Sequence, residues 1–397
     1  MSITSVNMPV ILGGSIYPFS RYRDGSHWRD WVRQAGTEAL VDAGLEPRDI
    51  DAVVIASETD FLNLQVNPAP VVLGELGLTG HPVVRVEGGG ASGGLALREA
   101  MTQIMAGLYQ RVMVVGFDAA AGHLEAGDVQ LVYGLSFDAE TDGMAGATAV
   151  TLYALSINEY MGKYGVAPAQ FARVSVKNHG NAVGNPWAHK PMRITVEDVL
   201  TSPMIASPYR KLDCSLTSDG AAAVILSHPD VTPNAERPRS RIAGSGVGTD
   251  FARLGDRNSR YEFRAKQEAA HAAYKMAGIN DPAHEIDIAE VYDPFTGAEL
   301  QSSEALGLVA EGQAVAALED GLFDADGSLP VNRSGGLIGQ GGVPGATGIA
   351  QAISMDRLLT GRYPGQAPNE LHRCGVIDSH GGICTLAAVH VLERLEP

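Results

Sequence analysis

An α/β protein made of two similar halves is the fold class this sequence predicts. Three features point there. The chain has 397 residues, more than one hydrophobic core usually serves. One helix-to-strand pattern occurs twice, and a small-residue turn opening a helix follows it both times.

The first copy reads AGLEPRDIDAVVIASETDF at residues 43–61, and the second reads AGINDPAHEIDIAEVYDPF at residues 277–295. Each follows a helical pattern that closes on a glycine, Gly44 or Gly278, suited to the left-handed conformation that ends helices. Each continues through an acidic turn into a short apolar run that reads as a buried parallel strand. GASGGLAL at residues 90–97 and GATGIAQA at 345–352 then enter helices. RVMVVGFD at 111–118 and CGVIDSHGG at 374–382 read as the strands that follow. Strands alternating with helices imply crossover connections in a mostly parallel sheet, with the halves packed as a pseudo-dimer.

Residues 119–212 interrupt the pattern and are predicted to be an insertion that covers the first half and carries substrate-binding loops. Within it, residues 146–165 have helical apolar spacing and end at Gly165. Residues 218–230 return as a buried strand, and 230–241 form a Pro- and charge-rich link. The expected halves are therefore 1–235, with the insertion at about 119–212 inside it, and 236–397.

Composition narrows the function. Lys and Arg number 29 against 46 Asp and Glu, a formal net charge of −17 that argues against nucleic-acid binding and against docking on anionic membranes. Three cysteines, Cys214, Cys374 and Cys384, have no metal-ligand spacing and are too few for a disulfide framework, as expected of a cytoplasmic protein. No metal site is expected. Residues 1–20 lack the basic start and apolar core of a secretory leader, and no stretch approaches a membrane span. GGGASG at 88–93 satisfies a dinucleotide-binding spacing, but it falls in the second crossover of its half, and a tight strand-to-helix turn already accounts for its glycines.

Five segments, in order, carry a resemblance. They are VKNHGNAVGNPWAHK (176–190), MIASPYRKLDCSLTSDGAAAVIL (204–226), EVYDPFTGAELQSSEALGLVAEGQA (290–314), NRSGGLIGQGGVPGATG (332–348) and SHGGICTLAAVHVLERL (379–395). Together they resemble the thiolase superfamily, in particular its sterol-carrier-protein-type branch. The resemblance implies a thiolase fold, two α/β halves in a five-layered arrangement, with coenzyme A thioesters as substrates, no covalently bound cofactor and a homodimer.

The departures from that family fall on its catalytic positions. Gly90 stands where the family has its acylated cysteine, Tyr292 replaces a motif histidine, and Gly342 replaces the histidine of the glycine-rich loop. Ordinary thiolysis needs an activated thiolate, which Gly90 cannot supply. A retro-aldol cleavage of a 3-hydroxyacyl-CoA needs only a base for the β-hydroxyl and donors for the thioester enolate. Some Cys-less members of the family are aldolases of that kind, working with a small zinc-ribbon and OB-fold partner that binds acyl-CoA. By this resemblance Tyr292, His380 and Asp293 are the catalytic candidates. Gly90, Ala91 and Ser92 at a helix start, with Asn332, Gly341, Gly342 and Gly345 in the glycine loop, are the substrate-binding candidates. Each polar candidate also has a structural reading: His380 and Tyr292 as packed, hydrogen-bonded side chains, Asp293 as a brace, Asn332 as a loop holder. Glu87, His179 and His189 are weighed and read as capping, structural or exposed. Coenzyme A contacts are expected in the insertion and around residues 245–248. Two alternatives stay open: a non-catalytic acyl-CoA-binding subunit, and an acyltransferase using another nucleophile, with Cys214 or Cys384 the residues at hand.

Overall fold

Apolar spacing builds the outer layers first. The helix Trp28–Ala43 buries Trp28, Trp31, Val32, Ala35, Ala39 and Leu40 along one stripe. His27 and Asp30 cap its start reciprocally, and Gly44 ends it in the left-handed region at φ 69°. Its counterpart, Arg264–Ala277, ends the same way at Gly278, φ 80°. The computed structural model describes residues 8–232, 237–365 and 371–395. The expected boundary between residues 235 and 236 lies outside the described residues.

Among the described residues eleven strands follow in chain order: β1 (Val10–Ser20), β2 (Ala52–Ala56), β3 (Val83–Val86), β4 (Arg111–Ala119), β5 (Met204–Ala206), β6 (Tyr209–Arg210), β7 (Asp219–Ser227), β8 (Arg239–Thr249), β9 (Ile288–Glu290), β10 (Cys374–Gly381) and β11 (Leu386–Leu395). Nine of them form one sheet, in the order β3-β2-β4-β7-β1-β8-β11-β10-β9, and β5 pairs with β6 apart from it. The run β2-β4-β7-β1 is repeated as β9-β10-β11-β8, so the two halves meet where β1 pairs with β8 at Val10 and Arg241. The expectation of a mostly parallel sheet is corrected: β2–β3, β2–β4 and β9–β10 are parallel, and the other pairings in the large sheet are antiparallel. β7 reads as a nearly continuous apolar run because both its faces are covered, and burial of that kind says nothing about strand direction.

Between the two halves of the sheet run the helices Ser92–Met105 and Pro344–Leu359, packed on each other and on strands of both halves. Leu97, Met101, Ile104, Ile349, Ile353 and Leu358 fill this middle layer. Trp28–Ala43 covers β1 and β7 on one outside, and Arg264–Ala277 covers β8 and β11 on the other. Helix, sheet, helices, sheet, helix are the five layers. Each large side chain so buried contributes about 1.5–3 kcal/mol.

Two expectations meet the structure here. Residues 245–248 lie in β8, where a Cβ on Gly244, Gly246 or Gly248 would come within 3 Å of the Arg264–Ala277 backbone, so that face of the strand is packed flush beneath the helix. The insertion, moreover, packs against the second half. Its helices Ala149–Tyr164 and Pro168–Asn181 bury Leu152, Ile157, Tyr160 and Phe171 in one cluster with Phe295, Leu300 and Leu306. The apolar stripe is legible in the sequence; the half it meets is not.

Candidate active site

β2, β4, β9 and β10 end on one rim, and the insertion roofs it, enclosing a cavity of 340 Å³. Gly90 forms part of the wall. A Cβ placed on it would lie 2.3 Å from Tyr292 Oη and 2.4 Å from the His380 carbonyl oxygen. The Tyr292 phenol therefore fills the volume that a side chain at residue 90 would need, and the two departures from the family pattern depend on each other.

Tyr292 follows β9, and its backbone N–H donates to Asp378 Oδ1 at 3.1 Å. Burial, then the carboxyls of Glu58 and Asp378, pushes its phenol well above the usual range. It keeps its proton at neutral pH and serves as a hydrogen-bond donor.

Asp378 and His380 are two apart on β10, hence on one face. His380 Nε2 lies 2.6 Å from Tyr153 Oη, and its Nδ1 faces Asp378 Oδ2 at 3.7 Å, beyond hydrogen-bond reach. Asp378 Oδ2 is 2.6 Å from Lys266 Nζ, with both side chains fully buried. Burial, then the Lys266 charge, pushes His380 down to about 4, so the imidazole is neutral. Burial works against the charge on Asp378, yet Lys266 and His380 hold its carboxyl below the usual range. The result is a buried row of four polar side chains, Lys266, Asp378, His380 and Tyr153, leading to the cavity.

On the opposite side of the rim stand Glu58, just past β2, and Asp118, near the end of β4. The Glu58 N–H donates to Asp118 Oδ2 at 3.1 Å, and Asn63 Nδ2 and the Gly345 N–H also donate to that carboxyl at 2.8 Å each. Ser136 Oγ donates to Glu58 Oε1 at 3.0 Å, while Glu58 Oε2 is buried with no partner among the described residues. Burial, then the Asp118 charge, pushes Glu58 up to about 8, and burial pushes Asp118 up to about 7. Tyr133 also lines the cavity; burial, then Glu58, raises its phenol well above the usual range.

Of the residues expected at the site, Gly90, Gly342, Tyr292 and His380 line the cavity together. The others are elsewhere, each for a visible reason. Asp293 points away: its carboxylate accepts from the Leu337 N–H at 2.6 Å and from Asn178 Nδ2 at 2.7 Å. Asn332, at φ 57°, accepts from the Val291 N–H at 2.8 Å and donates to Glu299 at 2.8 Å. Both belong to a sealed cluster completed by the Lys177–Glu299 ion pair at 3.0 Å. Ala91 is fully buried, and Ser92 Oγ is spent closing the turn, donating to the Gly89 carbonyl at 2.6 Å and accepting from the Gly88 N–H at 3.0 Å. A Cβ on Gly341 would lie 2.5 Å from Ser218 Oγ, and Gly345 packs under the Ala56 carbonyl. Glu87 accepts from the Gly89 N–H at 2.9 Å, as a cap. His179 bonds the Lys190 carbonyl at 2.9 Å and His189 bonds Ser218 Oγ at 2.8 Å.

Burial pushes the three thiols up, Cys214 and Cys374 to about 12 and Cys384 to about 11, so none is a thiolate at neutral pH. All three are free. Among the described residues, no group of three or more His, Cys, Asp or Glu is placed to hold a metal, and no helix is long and apolar enough to cross a membrane.

Residues 10–230 match the thiolase N-terminal domain family, and residues 246–394 match the thiolase C-terminal domain-like family. The chain belongs to the thiolase superfamily and handles acyl-CoA thioesters. An acetyl-CoA acetyltransferase of Methanothermobacter thermautotrophicus is 37% identical over 97% of this chain and 99% of its own. Sterol carrier protein 2 of Gallus gallus is 30% identical over 88% of this chain and 65% of its own. Among solved structures, the Ltp2–ChsH2(DUF35) aldolase superposes with a TM-score of 0.83 at 25% identity, covering 97% of each chain.

Proposed function

We propose that this protein makes or breaks the carbon–carbon bond of a 3-hydroxyacyl-CoA by aldol chemistry, without a cysteine acyl-enzyme. The observation that carries this reading is the Tyr292 phenol standing in the space a nucleophile at residue 90 would occupy. A thioester carbonyl entering that space meets a proton donor where a thiolase presents a sulfur. In the cleavage direction, negative charge moves onto the thioester oxygen as the bond breaks, and the Tyr292 O–H donates to it. His380, neutral and bonded through Nε2 to Tyr153, orients this wall of the cavity. The similarity to a solved aldolase supports the reading. That aldolase's name pairs it with a DUF35 protein, which supports a small acyl-CoA-binding partner here as well. A homodimer and a cytoplasmic location complete the proposal.

The test is turnover of 3-hydroxyacyl-CoA and 3-ketoacyl-CoA sets by the wild type and Tyr292→Phe. Release of an aldehyde or ketone from a 3-hydroxyacyl-CoA, reduced about 10²–10³-fold in the variant, is the expected result. The acetyltransferase relative favours a second reading, acyl transfer through another nucleophile. CoA-dependent cleavage of a 3-ketoacyl-CoA, retained in Tyr292→Phe, would establish that reading instead. Binding of CoA thioesters without turnover in either set would make the chain a non-catalytic subunit.

A further inference from the structure

Glu58 stands where two cavities meet. One is the 340 Å³ cavity above. The other, of 540 Å³, lies beside it and shares Glu58, Ser136, Phe137 and Gly382 with it. Phe61, Val132, Leu135 and Leu386 give this second cavity a largely apolar lining. Glu58 is 8% exposed, and its unpartnered Oε2 is buried at this junction. In the repeat, Glu58 is also the counterpart of Tyr292: each is the sixteenth residue of its copy, counted from Ala43 and from Ala277.

We propose that Glu58 is the proton-transfer residue of the carbon–carbon cleavage and that the second cavity receives the aldehyde or ketone fragment. The proposal rests on the aldolase reading above. A retro-aldol splits one substrate into two molecules, an acyl-CoA and a carbonyl compound. Such a site needs two compartments and a base beside the bond between them. The other polar groups at the rim are engaged: Tyr292 keeps its proton, His380 Nε2 is held by Tyr153, and Glu87 caps Gly89. Ionised Glu58 takes the β-hydroxyl proton, and that O–H electron pair forms the new C=O bond. The electrons of the Cα–Cβ bond pass into the thioester enolate, which accepts a hydrogen bond from Tyr292. The proton held by Glu58 then returns to Cα, giving the acyl-CoA and restoring the carboxylate. Protons and electrons balance with no further reactant. Glu58 is faced by Asp118 from β4, Glu87 from the turn before Gly90, Tyr133 from the insertion and Tyr292 after β9. Their combined surroundings make a carboxyl of raised affinity for protons, a stronger base than an exposed glutamate.

The experiment uses the full chain, with any partner that copurifies, and 3-hydroxyacyl-CoAs whose β-substituent grows from methyl to phenyl. Glu58→Gln is expected to lose at least about 100-fold in kcat while its Kd for acetyl-CoA stays within about 3-fold. Glu58→Asp, with a shorter reach, is expected to recover part of that loss. Leu135→Trp narrows the second cavity and is expected to lower the phenyl-to-methyl ratio of kcat/KM by about 10-fold or more. Wild-type cleavage with Glu58→Gln equally active, or a phenyl-to-methyl ratio untouched by Leu135→Trp, overturns this inference and leaves the aldolase reading standing. A wild type that cleaves no member of the set overturns both. Should Glu58→Gln fail to fold, undiminished cleavage by Glu58→Asp or an unchanged ratio in Leu135→Trp overturns the inference in its place.

Discussion

Two buried polar clusters lie on the same rim of the sheet, and they are built to opposite ends. Around Asp293, every oxygen has a use: Asn178, the Leu337 N–H, Asn332 and Lys177 together occupy Asp293 and Glu299. Burial and the neighbouring Glu299 raise Asp293 well above the usual carboxylate range, and the Leu337 N–H, Asn178 and Lys177 work against that rise. Around Glu58, no cation pairs directly with the carboxyl among the described residues, one oxygen has no partner, and the space beside it is open. The first cluster clamps the insertion to the second half. The second holds a titratable group at the edge of empty space. Burial alone thus does not mark a functional carboxyl; burial with an unanswered oxygen facing a cavity does.

Breaking the clamp should cost most. Lys177→Met leaves Glu299 and Asp293 buried without their cation, and the expected loss is about 3–5 kcal/mol, read from urea unfolding. A loss below about 1 kcal/mol would mean the cluster is not the clamp described here. Filling the open cluster should cost less. Gly90→Cys forces the Tyr292 ring or the His380 backbone to move, at about 1–3 kcal/mol. Adding Tyr292→His removes the phenol oxygen, so a double-mutant cycle should show favourable coupling of at least about 0.5 kcal/mol. Strict additivity would mean that the two positions do not compete for space. The gentlest probe is pH. Glu58 has a folded value of about 8 against an ordinary 4.5, so the folded state binds its proton more tightly. Its contribution to stability is complete below about 4.5 and is lost as pH rises through about 8, at about 1.4 kcal/mol per pH unit in between. Asp118, raised to about 7, pulls the same way. Glu58→Gln should flatten the fall of stability measured between pH 5 and pH 8 by about one proton's worth. An unchanged slope would place the raised affinity elsewhere.

The framework is legible in the sequence because the repeat is long and its periodicities are distinct. Gly44, Gly165 and Gly278 end helices where their spacing says they should, at φ 69°, 69° and 80°. Gly90, Tyr292 and His380 can be picked out because they stand at strand ends within recognisable motifs. Asp293 is misleading because neighbours along an extended chain point to opposite sides, so adjacency to Tyr292 carries it away from the cavity; Asn332, at φ 57°, spends its amide on the Val291 N–H and Glu299. Tyr133 and Tyr153 escape sequence reasoning because they lie on insertion helices whose docking side no periodicity reveals. The spacing in Asp378-x-His380, two residues on one strand face, is a readable sign of the buried row. So is Glu58, aligned with Tyr292 by the repeat.

That last alignment also bears on how an internally duplicated chain differs from a dimer of identical chains. A symmetric pair of separate subunits must place the same side chain at both equivalent positions, and one substitution changes both. Fused into one chain, the copies can diverge. Here the sixteenth residue of one copy is an acid and that of the other a phenol, and both reach a single chamber. The duplicate of Gly90, Gly345, has likewise left the chamber wall and lends its N–H to Asp118 instead. Covalent joining has turned a symmetric pocket into one with a left and a right hand. The two ends of a molecule in that chamber then meet different groups, a carboxyl on one side and a phenol on the other.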